Sequence, residues 1–399
     1  MDNQTHKLLK KIEREKQKRE EIERTGRRDK EPNLLNLSDA LDEFYFLSKL
    51  KNYCAYLSYT RFTNPNLTHY DKKDFRLMRE ILREVDLDDF DNPVLRIYNR
   101  IRLLFEACEL GLSTDEDIYN EVVEILDETD GCISFEEEIE FHSYLCNYAI
   151  DKVNRNKNSF KKRLLFHYVK ALDKTYQIPS NSGVPLPPAT YKNVVKTALF
   201  SGEDTVFFQS LQLIGVQPSG THKSIGSTYE WIENFIHYYK KKMDGDHRES
   251  YHTYCEALLY FEYKKFGRAY RTLGNPLHLQ GMFINLDIRL LHLMVLYELF
   301  NRRPTILEND DIEILKILDN FRHQLRDDEN RKHQISSQYL ELFKQFAKLY
   351  RRLYQLNIKV GGMERKLPKF VRAIEELILD VLNKTPPYKH WLLEKAKEL

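Results

Sequence analysis

The sequence predicts an all-α protein, an α-solenoid of stacked antiparallel helix pairs, and three observations carry that prediction. Apolar residues recur with helical period along most of the 399 residues, and no stretch alternates with period two for long enough to make a strand. Three segments match the capping box: Ser113 with Glu116, Ser134 with Glu137, and Ser227 with Glu230. In that motif the serine and the acid satisfy orphan amides at a helix N-terminus. With only 14 Gly and 13 Pro, the chain is also poor in the turn residues a sheet-rich fold needs.

The elements follow in order. Residues 1–33 read as a charged helix or arm, because only Leu8, Leu9, Ile12 and Ile22 offer an apolar stripe. An N-terminal helical array is expected over 34–177, opening near Ser38 as N-cap of a helix that carries Leu47, Leu50, Cys54 and Leu57 on one face. Asn92-Pro93 opens another helix, with Ile97, Ile101, Phe105 and Cys108 in line, and Gly111 ends it. The segment 178–188 (IPSNSGVPLPP) is the one clearly loop-like stretch of the body. A C-terminal array is expected over 189–399. Its helices fall at Tyr191–Leu213, Thr228–Met243, Tyr251–Leu273, Phe283–Phe300, Asp310–Leu325, Ile335–Leu356 and Glu364–Leu382.

The stretch from Tyr251 to Leu273 is the most informative. Ala257 and Tyr260 lie one turn apart on a first helix; Phe266, Ala269 and Leu273 line a second, across a break near Lys264 and Lys265. Two facing alanines let helices approach closely while large residues fill the space around them, the packing logic of a tetratricopeptide-like (TPR-like) repeat. The segments YKNVVKTAL, YCEALLYFEYKKFGRAYRTLG and FINLDIRLLHLMVLYELF resemble TPR-like all-helical proteins of the Bacteroidetes type, over roughly residues 135 to 356. The resemblance implies a helical-repeat fold and assigns no catalytic residue.

Composition narrows the function. A net charge of +1 disfavours a chain that binds nucleic acid through a global basic surface. The first thirty residues lack the apolar core of a secretory signal, and Met282–Phe300 is interrupted by Asp287, Arg289, His292 and Glu298, against a membrane span. The five cysteines (Cys54, Cys108, Cys132, Cys146, Cys255) have neither metal-ligand nor redox spacing and read as reduced thiols of a cytoplasmic protein.

Each candidate site has a plainer structural explanation. In Leu126–Glu137 (LDETDGCISFEE), Glu128, Asp130, Gly131, Ile133, Ser134 and Glu137 fall at calcium-loop positions, but the first ligand position is Leu126. Gly131 as a helix stop and Ser134–Glu137 as a cap explain the same residues. Arg326 and His333 have the spacing of HEPN-type ribonucleases, where they would serve as phosphate ligand and acid or base. Asp327, Asp328 and Glu329 between them repel a phosphate backbone. Gly215–Ser224 has a lysine two residues late for a phosphate loop. His142 and Cys146, one turn apart, lack further metal ligands, and His247 and His252 point apart. Lys240–Lys242 complement a helix C-terminus, while Arg155, Lys157, Lys161, Lys162 and Arg163 form a basic loop. No catalytic, cofactor-binding or metal residue is assigned and no cofactor is expected. The expected function is a non-enzymatic protein-interaction scaffold. An RNA-binding repeat using the N-terminal arm and the Arg155–Arg163 loop is the alternative, and a HEPN-like ribonuclease comes third.

Overall fold

The computed structural model describes residues 34–63, 79–85, 87, 90–178, 184–211, 227–243, 245, 247–274, 282–302, 310–330, 337–361 and 368–399, together with Lys10, Glu13, Arg14 and Gln17. The protein is all-helical: among these residues no strand forms. The helices are α1 (Leu34–Ser58), α2 (Pro93–Leu110), α3 (Asp115–Glu128), α4 (Phe135–Asn154), α5 (Phe160–Gln177), α6 (Pro188–Phe200), α7 (Thr205–Ser210) and α8 (Thr228–Lys240). They continue as α9 (Arg248–Glu262), α10 (Phe266–Leu273), α11 (Met282–Arg302), α12 (Asp310–Asn330), α13 (Ser337–Gly361), α14 (Pro368–Asn383) and α15 (Lys389–Glu398). No helix among the described residues is long and apolar enough to cross a membrane.

The chain divides into two compact units, residues 1–186 with 193–238, and residues 187–192 with 239–399. In the first, α1 packs on α2, α2 on α3, and α4 on α5 as a hairpin. Leu50, Cys54, Tyr98, Ile101, Phe141, Leu145, Tyr148 and Phe160 are fully shielded in its core.

Local chemistry explains several of the helix ends. Asn92 accepts from the amides of Val94 and Leu95, with Pro93 in the first helical position. Ser134 and Glu137 form the reciprocal capping box, and the Glu230 amide donates to Ser227 Oγ at 3.2 Å. Two expected caps are corrected. Ser38 lies inside α1, which already begins at Leu34, and Ser113 does not cap α3. Thr114 precedes that helix without a side-chain hydrogen bond, while Asp115, Glu116 and Asp117 place negative charge on the first turn.

Three helices stop through one device, a left-handed residue whose amide and the next fold back onto carbonyls of the last turn. After α2 the residue is Gly111, after α4 Asn156, and after α9 Lys264, at φ 57°. In the last case Lys264 N donates to Phe261 O and Lys265 N to Tyr260 O. The break expected at Lys264–Lys265 is therefore a hairpin turn. Around it Ala257 and Ala269 are fully buried, with Phe266 and Leu273 beside them, while Tyr260 is half-buried and donates to Glu256. Helix α15 was not anticipated. Its Trp391 stacks on Phe346 and Tyr350 of α13.

Candidate functional site

The second unit contains a cavity of about 180 Å³ between the α9–α10 turn, α11 and α15. The helix stop at Lys264 sets Glu262, the last residue of α9, and Phe266, the first of α10, on its wall. The opposite wall is one face of α15, where Trp391, Glu394, Lys395 and Glu398 recur at intervals of three and four.

Lys395 anchors the polar half. Its Nζ lies 3.1 Å from Glu298, 3.5 Å from Glu394 and 3.0 Å from Glu398, and Trp391 Nε1 donates to Glu298 Oε1 at 2.9 Å. Glu262 is different: its carboxyl has neither a hydrogen bond nor an ion pair among the described residues. Burial first, and repulsion from Glu394 second, push its pKa up to about 7. Four carboxyls against Lys264 and Lys395 leave a surplus of negative charge, against apolar walls of Phe261, Phe266 and Trp391. Among the described residues no three His, Cys, Asp or Glu come together in an arrangement that suits a metal ion. The chemistry on offer is hydrogen-bond acceptance from a cation that also packs on aromatic rings.

The residues singled out in the sequence lie elsewhere. In the calcium-like segment, Leu126 is buried on α3 and Gly131 turns the chain at φ 77°. Two of its three candidate acids are committed, while Glu128 is exposed: Asp130 holds Lys174 at 2.9 Å, and Glu137 is bound by Ser134 and by Lys51 at 3.4 Å. His142 pairs not with Cys146 but with His167, Nδ1 to Nδ1 at 3.0 Å, and His167 Nε2 meets the Tyr119 hydroxyl at 2.6 Å. Burial holds both imidazoles well below their ordinary pKa. Tyr119 has no other acceptor among the described residues, so its proton points to His167, whose Nδ1–H then donates to His142.

His252 is buried near the Tyr191 hydroxyl (3.4 Å) and Glu256 (3.8 Å), and His247 precedes α9 without capping it. Arg326 is exposed on α12; His333, like Gly215–Ser224 and nearly all of the N-terminal arm, lies outside the described residues. The basic loop is largely spent internally. Arg155 pairs with Asp151 (3.1 Å), Lys157 with Glu116 and Lys162 with Asp204 (2.6 Å). The Arg163 guanidinium lies over the rings of Phe160 and Tyr119, at 4.6 and 5.1 Å.

Sequence reasoning missed the Glu262 cavity, because its two walls are more than a hundred residues apart and each acid reads as a solvated helix residue. The one local signal was the spacing of Trp391, Glu394, Lys395 and Glu398 after the Pro-Pro step. Comparison with protein-family models, curated proteins and solved structures finds no match to this chain.

Proposed function

We propose that the protein is a non-enzymatic interaction module of TPR-like stacked helix pairs, acting in the cytoplasm, and that its second unit captures a Lys or Arg side chain of a partner protein in the Glu262 cavity. The observation that carries this reading is Glu262 itself, a carboxyl with no partner among the described residues, on the wall of an acidic, aromatic-sided cavity. A cation entering there meets an acceptor already stripped of water, and Lys395 marks the same carboxylate cage as one that suits an ammonium. The volume favours a side chain over a cofactor, since small-molecule sites run to roughly 300–1,000 Å³. The helical hairpins support the repeat reading, because stacked pairs present long surfaces for peptides.

The test is fluorescence polarisation of a library of labelled Lys- and Arg-containing peptides with the full chain. The best binder should weaken about tenfold or more in Glu262→Gln, a charge-assisted contact being worth roughly 1.5–3 kcal/mol, and should strengthen from pH 6 to pH 8. Binding indifferent to Glu262 would place the interaction elsewhere. The RNA-binding alternative gains no support from the basic loop, whose described cations largely have internal partners. It rests on the arm, and RNA affinity that survives removal of residues 1–33 would overturn even that form of it.

A further inference from the structure

Helix α14 carries more apolar surface than its own unit covers. It packs on α13 and α15, with Phe370, Leu377 and Val381 buried. Around the helix from these residues the sequence stays apolar: Ile374, Ile378, Val371 and Leu382 follow in angular order, and Leu379 ends the arc. Val371, Leu382 and Leu379 are 46%, 48% and 57% exposed, while Ile374 and Ile378 are half-buried. At 3.6 residues per turn the arc spans about 200°, whereas a helix with one covered face needs little more than about 100°. Single apolar residues on a surface need no explanation, but a stripe sustained over about three turns does.

The charges around the stripe suit a copy of the same helix. Glu375 is the one charged residue inside it, exposed and without an ion pair among the described residues. Arg372 borders the stripe one turn earlier and is 80% exposed. Its ion pair with Glu376 spans 3.8 Å between two exposed side chains, a contact worth little. In a twofold-symmetric pairing residue i meets j and j meets i. An antiparallel second copy therefore turns Val371 of each chain towards Leu382 of the other, and brings Arg372 of each within side-chain reach of Glu375 of the other. A basic partner would be repelled by Arg372, and a lipid surface would bury Glu375 unpaired. A second copy answers both charges, twice over.

We propose that the protein forms a symmetric dimer in which α14 packs antiparallel on α14 of a second copy. Val371, Ile378, Leu379 and Leu382 form the apolar centre, and two reciprocal Arg372–Glu375 ion pairs form the rim.

The test is sedimentation velocity of the full chain between about 1 and 100 µM, which should show a species of twice the chain mass. Leu379→Glu should remain a monomer across that range. Its circular dichroism should match the parent, because the replaced side chain is exposed in the single chain. Arg372→Glu and Glu375→Arg should each weaken the dimer about tenfold or more, since each sets like charges against one another at both rims. An equimolar mixture of these two variants should restore it, because every facing pair is then opposite in charge. That restoration is a result which neither an intramolecular cover nor an unrelated partner produces. A full chain that stays monomeric at about 100 µM overturns the proposal. If removal of residues 1–33 then uncovers a dimer, the occupant is the arm and the proposal fails equally. It fails too if the dimer is indifferent to Leu379→Glu, or if the mixed charge variants associate no more tightly than either alone.

Discussion

Replacing Glu262 with Gln should stabilise the protein, and only in a defined pH window. The carboxyl titrates near 7 in the folded chain, against an ordinary glutamate at 4.5, chiefly because burial removes water from its ionised form. The folded state therefore keeps a proton that the unfolded state has already released between these two values. Stability then falls as pH rises from 4.5 to 7, and the full penalty is present above 7. At about 1.4 kcal/mol per pH unit, the half-buried position gives a penalty of roughly 2–3 kcal/mol. Gln has nearly the same shape and no charge to desolvate. Glu262→Gln should match the parent near pH 4 and exceed it by roughly 2–3 kcal/mol at pH 8, or about 5–10 °C in Tm. Glu394→Gln, which removes the second cause and not the first, should give a smaller gain of the same sign. Urea unfolding of the full chain at intervals from pH 4 to 8 reads both. Parallel pH profiles for parent and Glu262→Gln would show that the carboxyl is hydrated in the folded state. The cation-capture reading would then lose its basis.

Other consequences are as direct. His142 is held down to about 3 and His167 well below its ordinary value, so the stability they lend is complete above the unfolded value of 6.5. It should be lost at about 1.4 kcal/mol per pH unit for each histidine as pH falls below that value, and the double variant His142→Asn, His167→Gln should flatten the slope between pH 6.5 and 5. Lys264→Gly should stabilise by about 0.5–1 kcal/mol in thermal unfolding, because a non-glycine residue at φ 57° carries strain that glycine does not. Lower stability in that variant would mean that the lysine makes a contact worth more than the strain. Millimolar calcium should leave Tm unchanged, since Asp130 and Glu137 already have partners; an upward shift lost in Glu137→Gln would reverse that conclusion.

The features legible in the sequence are those fixed within one or two turns of helix. Asn92-Pro93, Gly111 and the Ser134–Glu137 box each act on amides or carbonyls a few residues away, so their meaning does not depend on the rest of the chain. The same rule misled at Ser113, because three acids beside it serve the first turn of α3 and one of them, Asp115, is drawn inward to Lys152. The turn at Lys264 was legible as a break but not as a left-handed one, since that conformation is a glycine's habit.

The cavity and the histidine chain were hidden for a different reason. Glu262, like His142 and His167, acquires its properties only when another helix removes water from it. Burial is a tertiary quantity that neither period nor spacing encodes. One trace did lie in the sequence. On α12 the apolar stripe of Ile314, Leu318, Phe321 and Leu325 has Asp328 as its next member, so helical period alone places a carboxylate where the core is being built. On α11 the run from Leu286 to Val295, buried except for the half-buried Arg289, is interrupted by Asp287, Arg289 and His292. Charges that break an apolar stripe on two consecutive helices argue against a membrane span, but they also mark the face along which those helices must share something polar.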